Sequence, residues 1–425
     1  MTAVMALRWS VQNEAAMGRS TAGMSTQAIA RRRLGPALRS AGSAFLWSRA
    51  LVVAVALLAV AIFGVHAGNE RSFDVPALTH PLGGALASLA RWDSTWYLGI
   101  AHSGYDGASS AFFPLYPMLV RGLAVVDAPG ALLVSAYVVS LASLFGALYL
   151  MHRLVALELE SERTARLSVL MLALFPGALW FGAPYSESLF LLLSVGAFYF
   201  ARTERWALAG VAAALASATR SAGLLLLVPL LILWWQSGRR PRDLGWIALA
   251  PLGLAAYSLY LALSIGDGFA YLHLQDVWFR SFAGPLGGVP DAAVAAWDGL
   301  RQIVSGQRSH VYFTDAGGDP ISVGWHNVEL FGFLVLGVVG LIGVVRRLPA
   351  AYGAYVAAAL ALPLSFPVGP QPLMSLPRFL AGLFPLFVWL ALVCSTPRRR
   401  VLVLGLLGLG LGVYTARYAT WHWVA

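Results

Sequence analysis

The chain has 425 residues, 59% of them hydrophobic and only 11% charged, with a mean hydropathy of +0.72. Soluble domains carry about 25% charged residues, so an ordinary water-soluble enzyme is excluded. One cysteine and no Gly-X-Y period also exclude disulfide scaffolds and collagen.

All 29 cationic residues are arginine. This removes lysine Schiff bases and a phosphate-binding P-loop lysine. Cys394 alone can neither pair within the chain nor anchor a cysteine-based metal site. The net charge of +10 lies mostly in short clusters beside apolar stretches, a pattern of membrane topology and not of nucleic-acid binding.

Residues 1–45 read as a basic, weakly ordered cytoplasmic tail, and residues 46–425 as a polytopic membrane domain. Apolar stretches of about 17–25 residues are candidate spans. Eleven are expected, near 50–67, 130–150, 167–184, 187–201, 206–219, 222–235, 244–264, 328–345, 351–366, 379–394 and 401–417. Arg31, Arg32, Arg33, Arg39 and Arg49 precede the first span and place the N-terminus inside. Alternation from there puts 20 arginines inside and 9 outside, while the acids divide 6 and 13 the other way. Two long segments, 68–129 and 265–327, then face outward. Val65-His66-Ala67 has the form of a signal-peptidase site, but the preceding apolar run exceeds a usual h-region, so the first span is expected to stay.

The first outer segment is expected to form a helix over residues 89–101, where Leu89, Trp96 and Ile100 share one face. Asp93 falls inside that apolar sector, with Arg91 opposite. An ionisable group there is costly and is a functional candidate, with a helix cap or an arginine pair as the plain alternative. Burial would raise the carboxylate's pKa and suit it to take a proton from a sugar or lipid hydroxyl. Further on, Phe112-Phe113-Pro114-Leu115-Tyr116-Pro117 breaks regular structure and starts a short surface-lying helix over residues 118–126. His102 in this loop reads first as a hydrogen-bonded structural residue.

Glu187 follows Tyr185 and Ser186 at the start of the fourth span, where Ser186 and Glu187 suit a helix N-cap. Arg220 stands alone between the fifth and sixth spans, and Arg378 directly before the tenth. Each can pair with an acid or bind phosphate bidentately. In the second outer segment, Asp276, Arg280, Asp291, Asp298, Arg301, Arg308, Asp315 and Asp319 are expected on a solvated loop, and Gly317-Gly318-Asp319-Pro320 as a turn. Neither His-Glu-x-x-His nor Asp-x-Asp occurs, so no ligand set calls for a metal, although a divalent ion is compatible with the chemistry.

Together, Arg91-Trp92-Asp93, Ile100-Ala101, Gly104-Tyr105, Phe112 to Pro117, Tyr185 to Phe190, Ala218-Thr219-Arg220-Ser221, Arg378-Phe379 and Phe384-Pro385 resemble the PIG-V family of GPI mannosyltransferase 2. The motifs run in the family's order over roughly residues 45–420.

The resemblance implies an all-α integral membrane fold of the GT-C glycosyltransferase class, with interfacial helices in the first outer loop. It implies sugar transfer, with inversion, from a polyprenyl-phosphate donor to a glycan, lipid or protein acceptor. Asp93 maps onto the family's essential acid, and Arg220 or Arg378 would hold the leaving phosphate. Arg91, Trp92, His102, Tyr105, Tyr185 and Glu187 join them as substrate-binding candidates. The all-arginine, alanine-rich composition suggests an actinobacterial plasma-membrane protein with its site outside the cell. Such a cell makes no GPI anchor, so the acceptor must differ. The competing readings are a transporter or flippase for a lipid-linked sugar, and a non-catalytic subunit of a glycan-assembly complex.

Overall fold

A computed structural model describes residues 26–306, 319–369 and 371–424. Among them the regular structure is helical, apart from one isolated antiparallel bridge between Arg280 and Val368. Among the described residues five helices are long and apolar enough to cross a membrane: Gly35–Phe63, Pro129–Leu159, Pro241–Ser264, Pro320–Arg347 and Pro397–Ala419. A sixth candidate is the pair Glu162–Leu174 and Pro176–Gly182, which bends by 81° where Pro176 removes a backbone donor. Trp206–Thr219, Ser221–Gln236, Ala350–Ser365 and Phe384–Val393 are apolar but shorter, and Glu187–Arg202 lies among them. All eleven expected segments are therefore helical, although apolar length alone supports only five or six as full crossings.

Small residues allow these helices to approach closely, as expected where lipid supplies no hydrophobic drive between them. In Trp206–Thr219, Ala209, Gly210, Ala213 and Ala216 are fully buried. A methyl group on Gly210 would lie 2.0 Å from the Trp246 carbonyl oxygen. Bulky apolar side chains such as Leu58, Ile62, Leu402 and Leu406 instead point outward, as a lipid-facing surface requires.

The first helix begins at Thr26, and residues 1–25 of the expected tail lie outside the described residues. Ala37, Ala41 and Ala44 are buried along one side of it. Arg49 therefore sits within the helix and not before it, buried against Gly182 with both terminal guanidinium nitrogens lacking a hydrogen-bond partner.

Two expected loop helices shift. The helix of the first loop runs Asp93–Ser103, because Trp92 adopts φ +52° and breaks any continuation from Leu89. The next is Leu115–Leu123, which buries Tyr116 and Val120 and exposes Met118 and Leu119. The second long segment contains helix Gly288–Ser305, and Asp319 caps Pro320–Arg347 by accepting from the Ser322 amide. Arg308, Asp315 and Gly317-Gly318 lie outside the described residues.

Candidate active site

The first carboxylate is placed by its own backbone. Asp93 is the first residue of its helix, where the amide ends favour negative charge. Its N–H donates to the Tyr185 hydroxyl (3.1 Å), which donates to the Arg91 carbonyl (3.1 Å). The Tyr418 hydroxyl donates to the same carbonyl at 3.0 Å. Tyr185, in the bend before helix Glu187–Arg202, and Tyr418, on helix Pro397–Ala419, thus fix the turn that presents Asp93.

The Asp93 side chain is not isolated among apolar groups, as the sequence suggested. Its Oδ2 accepts from Arg378 Nη1 at 2.5 Å, and it keeps 28% of its exposure. Arg378 Nε lies 3.4 Å from Glu187 Oε1, which also accepts from Arg220 Nη1. Asp93, Arg378, Glu187 and Arg220 therefore form one alternating chain of charges. Glu187 opens its helix as expected, but Ser186 makes no side-chain cap; its hydroxyl meets Tyr97 at 2.8 Å.

A fifth charge completes the group. Arg280 donates to the Phe366 and Met374 carbonyls at 3.0 and 3.3 Å and has no acidic partner among the described residues. The guanidinium carbons of Arg220, Arg280 and Arg378 lie 5.7, 5.7 and 5.6 Å from the Phe379 ring. Three cations against two carboxylates leave a local charge of about +1. Burial, then repulsion from Arg378 and Arg220, lowers the Arg280 pKa to about 10. Arg280 was expected on a solvated loop; it is instead held inward by the bridge to Val368. The aromatics beside it do not mark it, since Phe279 and Phe282 are themselves exposed.

Strained backbone supports these residues. Trp92 (φ +52°) precedes Asp93, Phe279 (φ +56°) precedes Arg280, and Ser375 (φ +69°) opens the helix carrying Arg378. Each such residue costs on the order of 1–3 kcal/mol and persists only where its surroundings enforce it.

These charges line a cavity of about 460 Å³. Trp92, Asp93, Tyr185, Glu187, Arg220 and Arg378 all face it, together with Arg280 and the aromatic rings of Trp96, Phe112 and Trp278.

Three expected ligands do not line it. Arg91 is buried behind, over the Trp421 ring at 4.9 Å, and serves the site through its carbonyl. Tyr105 packs on Tyr257 and donates to the Phe112 carbonyl at 2.7 Å, which supports the wall. His102 is exposed, with Nδ1 3.3 Å from Asp127, because that acid and Arg121 form a separate surface cluster.

The geometry can hold an anion among the arginines beside a carboxylate with one oxygen unengaged. Residues 48–234 match the family model "Mannosyltransferase (PIG-V)". The mouse GPI alpha-1,6-mannosyltransferase 2 is 35% identical over 154 residues, covering 34% of this chain and 31% of its own length. The GPI mannosyltransferase 2 of Yarrowia lipolytica is 28% identical over 188 residues, 44% of this chain and 49% of its own. The matches thus span less than half the length of these relatives. An Archaeoglobus fulgidus oligosaccharyltransferase, solved with a tethered acceptor peptide, aligns over 88% of this chain and 55% of its own, with 13% identity and a TM-score of 0.43.

Proposed function

We propose that this chain, whose residues 48–234 match the PIG-V mannosyltransferase model, moves mannose from a polyprenyl-phosphate to an acceptor hydroxyl at a membrane surface. The observation that carries this reading is the pairing of Asp93 with a three-arginine cluster of net positive charge around one cavity.

The reaction is a single displacement. The acceptor oxygen bonds to the anomeric carbon as the bond from that carbon to the lipid-phosphate oxygen breaks, so the configuration inverts. Asp93 takes the acceptor proton, and Arg378 on Oδ2 leaves Oδ1 for that hydroxyl. The lipid phosphate departs with an extra negative charge. Arg280 is assigned as its principal ligand, because Arg220 and Arg378 already have carboxylate partners. Guanidinium groups fixed in advance stabilise that developing charge without reorganising. Tyr185 and the Arg91 carbonyl hold the carboxylate in position.

The full reading is a GT-C-like bundle of eleven crossings in a bacterial plasma membrane, with the N-terminus cytoplasmic and the cavity outside. The test is transfer of labelled mannose from a polyprenyl-phosphate donor to lipid, glycan and protein extracts of the host, using the full chain in lipid. A new labelled product supports the reading. Donor that crosses the bilayer unchanged, with no product, overturns it in favour of a transporter.

A further inference from the structure

A second polar cluster lies on the first long loop, in the segment before Trp92. Helix Ala67–Phe73 ends at Asp74, and the next turn, Pro76–Thr79, ends at His80. Glu70 and Asp74 stand one helical turn apart, with the Asp74 amide donating to the Glu70 carbonyl at 2.9 Å. The proline turn then returns the chain so that His80 Nδ1 lies 3.3 Å from Asp74 Oδ2.

One ligand atom from each of Glu70, Asp74 and His80 lies within 4.8 Å of the other two. The Asp74 side chain is only 1% exposed. The buried Thr79 hydroxyl donates to its Oδ1 at 2.6 Å, while Oδ2 has no hydrogen-bond partner and is held toward His80. A carboxylate oriented by an outer hydroxyl, with its second oxygen left open, is how metal ligands are held. Bonds of about 2.0–2.2 Å give a tetrahedral edge of about 3.3–3.6 Å. The edge from Asp74 to His80 already has that length; on binding, His80 Nδ1 gives up its 2.9 Å contact with the Thr79 hydroxyl, and Glu70 closes the third corner by a side-chain rotation.

We propose that Glu70, Asp74 and His80 form a binding site for a first-row divalent cation, separate from the Asp93 cavity. One imidazole and two carboxylates suit Zn²⁺ or Mn²⁺ better than Ca²⁺ or a thiolate-loving ion. Three protein ligands leave room for water, which the half-exposed His80 admits. Arg91, whose guanidinium interacts with both Asp74 and Glu70, offsets one of their two charges, so the site is of moderate affinity. Its role is positional. Phe73, next to Asp74, packs on Trp92 at 5.0 Å between ring centres, and Trp92 leads into Asp93. An ion that ties the two short helices together keeps that ring in place at the cavity wall.

The test uses the full chain in nanodiscs after chelator treatment, titrated with Co²⁺ as a spectroscopic probe and then with Zn²⁺. The expected result is saturable binding of about one ion per chain and a raised thermal midpoint. The Co²⁺ absorption should be lost in His80→Gln. Asp74→Asn and Glu70→Gln should each weaken binding by about ten-fold or more, on the scale known for ligand-shell changes. Asp127→Asn, an acid elsewhere on the same loop, should leave binding unchanged. The metal-free midpoints of the variants check that each remains folded. No saturable binding in the wild-type chain, or binding that survives all three substitutions in folded protein, overturns the proposal.

Discussion

Arg378 Nη1 meets Asp93 Oδ2 at 2.5 Å, joining residues 285 positions apart in the sequence. The contact ties the start of the Asp93–Ser103 helix to the Leu376–Ala381 helix across the cavity. Removing one member of such a pair leaves the other charge without a partner, at a cost of about 3 kcal/mol. Arg378→Gln should therefore lower the thermal midpoint, while the double variant Asp93→Asn with Arg378→Gln should be less destabilised than the sum of the two singles. A thermal double-mutant cycle in nanodiscs measures this; strict additivity would show that the contact contributes nothing.

The cluster's charge balance gives two predictions of opposite sign. Arg280→Gln removes the cation without an acidic partner and should raise the donor KM about ten-fold or more, the worth of one charge-assisted hydrogen bond. Glu187→Gln removes an anion that neutralises Arg220 and Arg378, so it should lower the donor KM while also reducing kcat. Steady-state kinetics at two salt concentrations would test both, since the KM effects should shrink as salt screens the cavity. KM moving the same way in both variants would contradict the assignment.

Arg280 also predicts a pH dependence. Its folded pKa, lowered to about 10 chiefly by burial, keeps it charged throughout the neutral range. Donor capture, read as kcat/KM, should stay flat on its account up to about pH 9 and fall as pH rises through about 10. Arg280→Gln should remove that fall. The stability sign is opposite to that of a favourable pair. Burying this cation costs stability at every pH below about 10, and the cost is relieved as pH rises from there toward the ordinary arginine value.

Gly177 connects packing to chemistry. A methyl group there would lie 2.3 Å from the Pro377 carbonyl oxygen, the residue before Arg378. Gly177→Ala must push the Leu376–Ala381 helix, at about 1–3 kcal/mol for overpacking. Transfer should drop together with thermal stability, although position 177 does not line the cavity. Wild-type rates in this variant would mean that the position of Arg378 is not critical.

The residues legible in the sequence were those whose charge stands against an apolar background. Glu187, Arg220 and Arg378 each border long apolar runs, Asp93 falls in the apolar sector of its helix, and all four face one cavity. Arg280 was hidden because its segment carries the charge density of an ordinary loop; its burial depends on a bridge to Val368, which no local pattern encodes. His102 was drawn in by proximity to Asp93 in sequence, but its partner is Asp127. The periodicity of Leu89, Trp96 and Ile100 ran through a break at Trp92, since hydrophobic spacing does not register a left-handed φ. Apolar length located the helices better than it counted crossings, because proline bends and the extended break at Arg220 shorten several of them.

The most direct test compares wild type with Asp93→Asn in the same nanodiscs, using labelled polyprenyl-phosphate-mannose and extracts of the host's acceptors. Both proteins should be folded and should bind donor. Only the wild type should form a labelled product, with the variant's rate down by about 10²–10⁴-fold, the range for loss of a general base. A variant that is folded, binds donor and transfers at the wild-type rate would contradict the role given to Asp93.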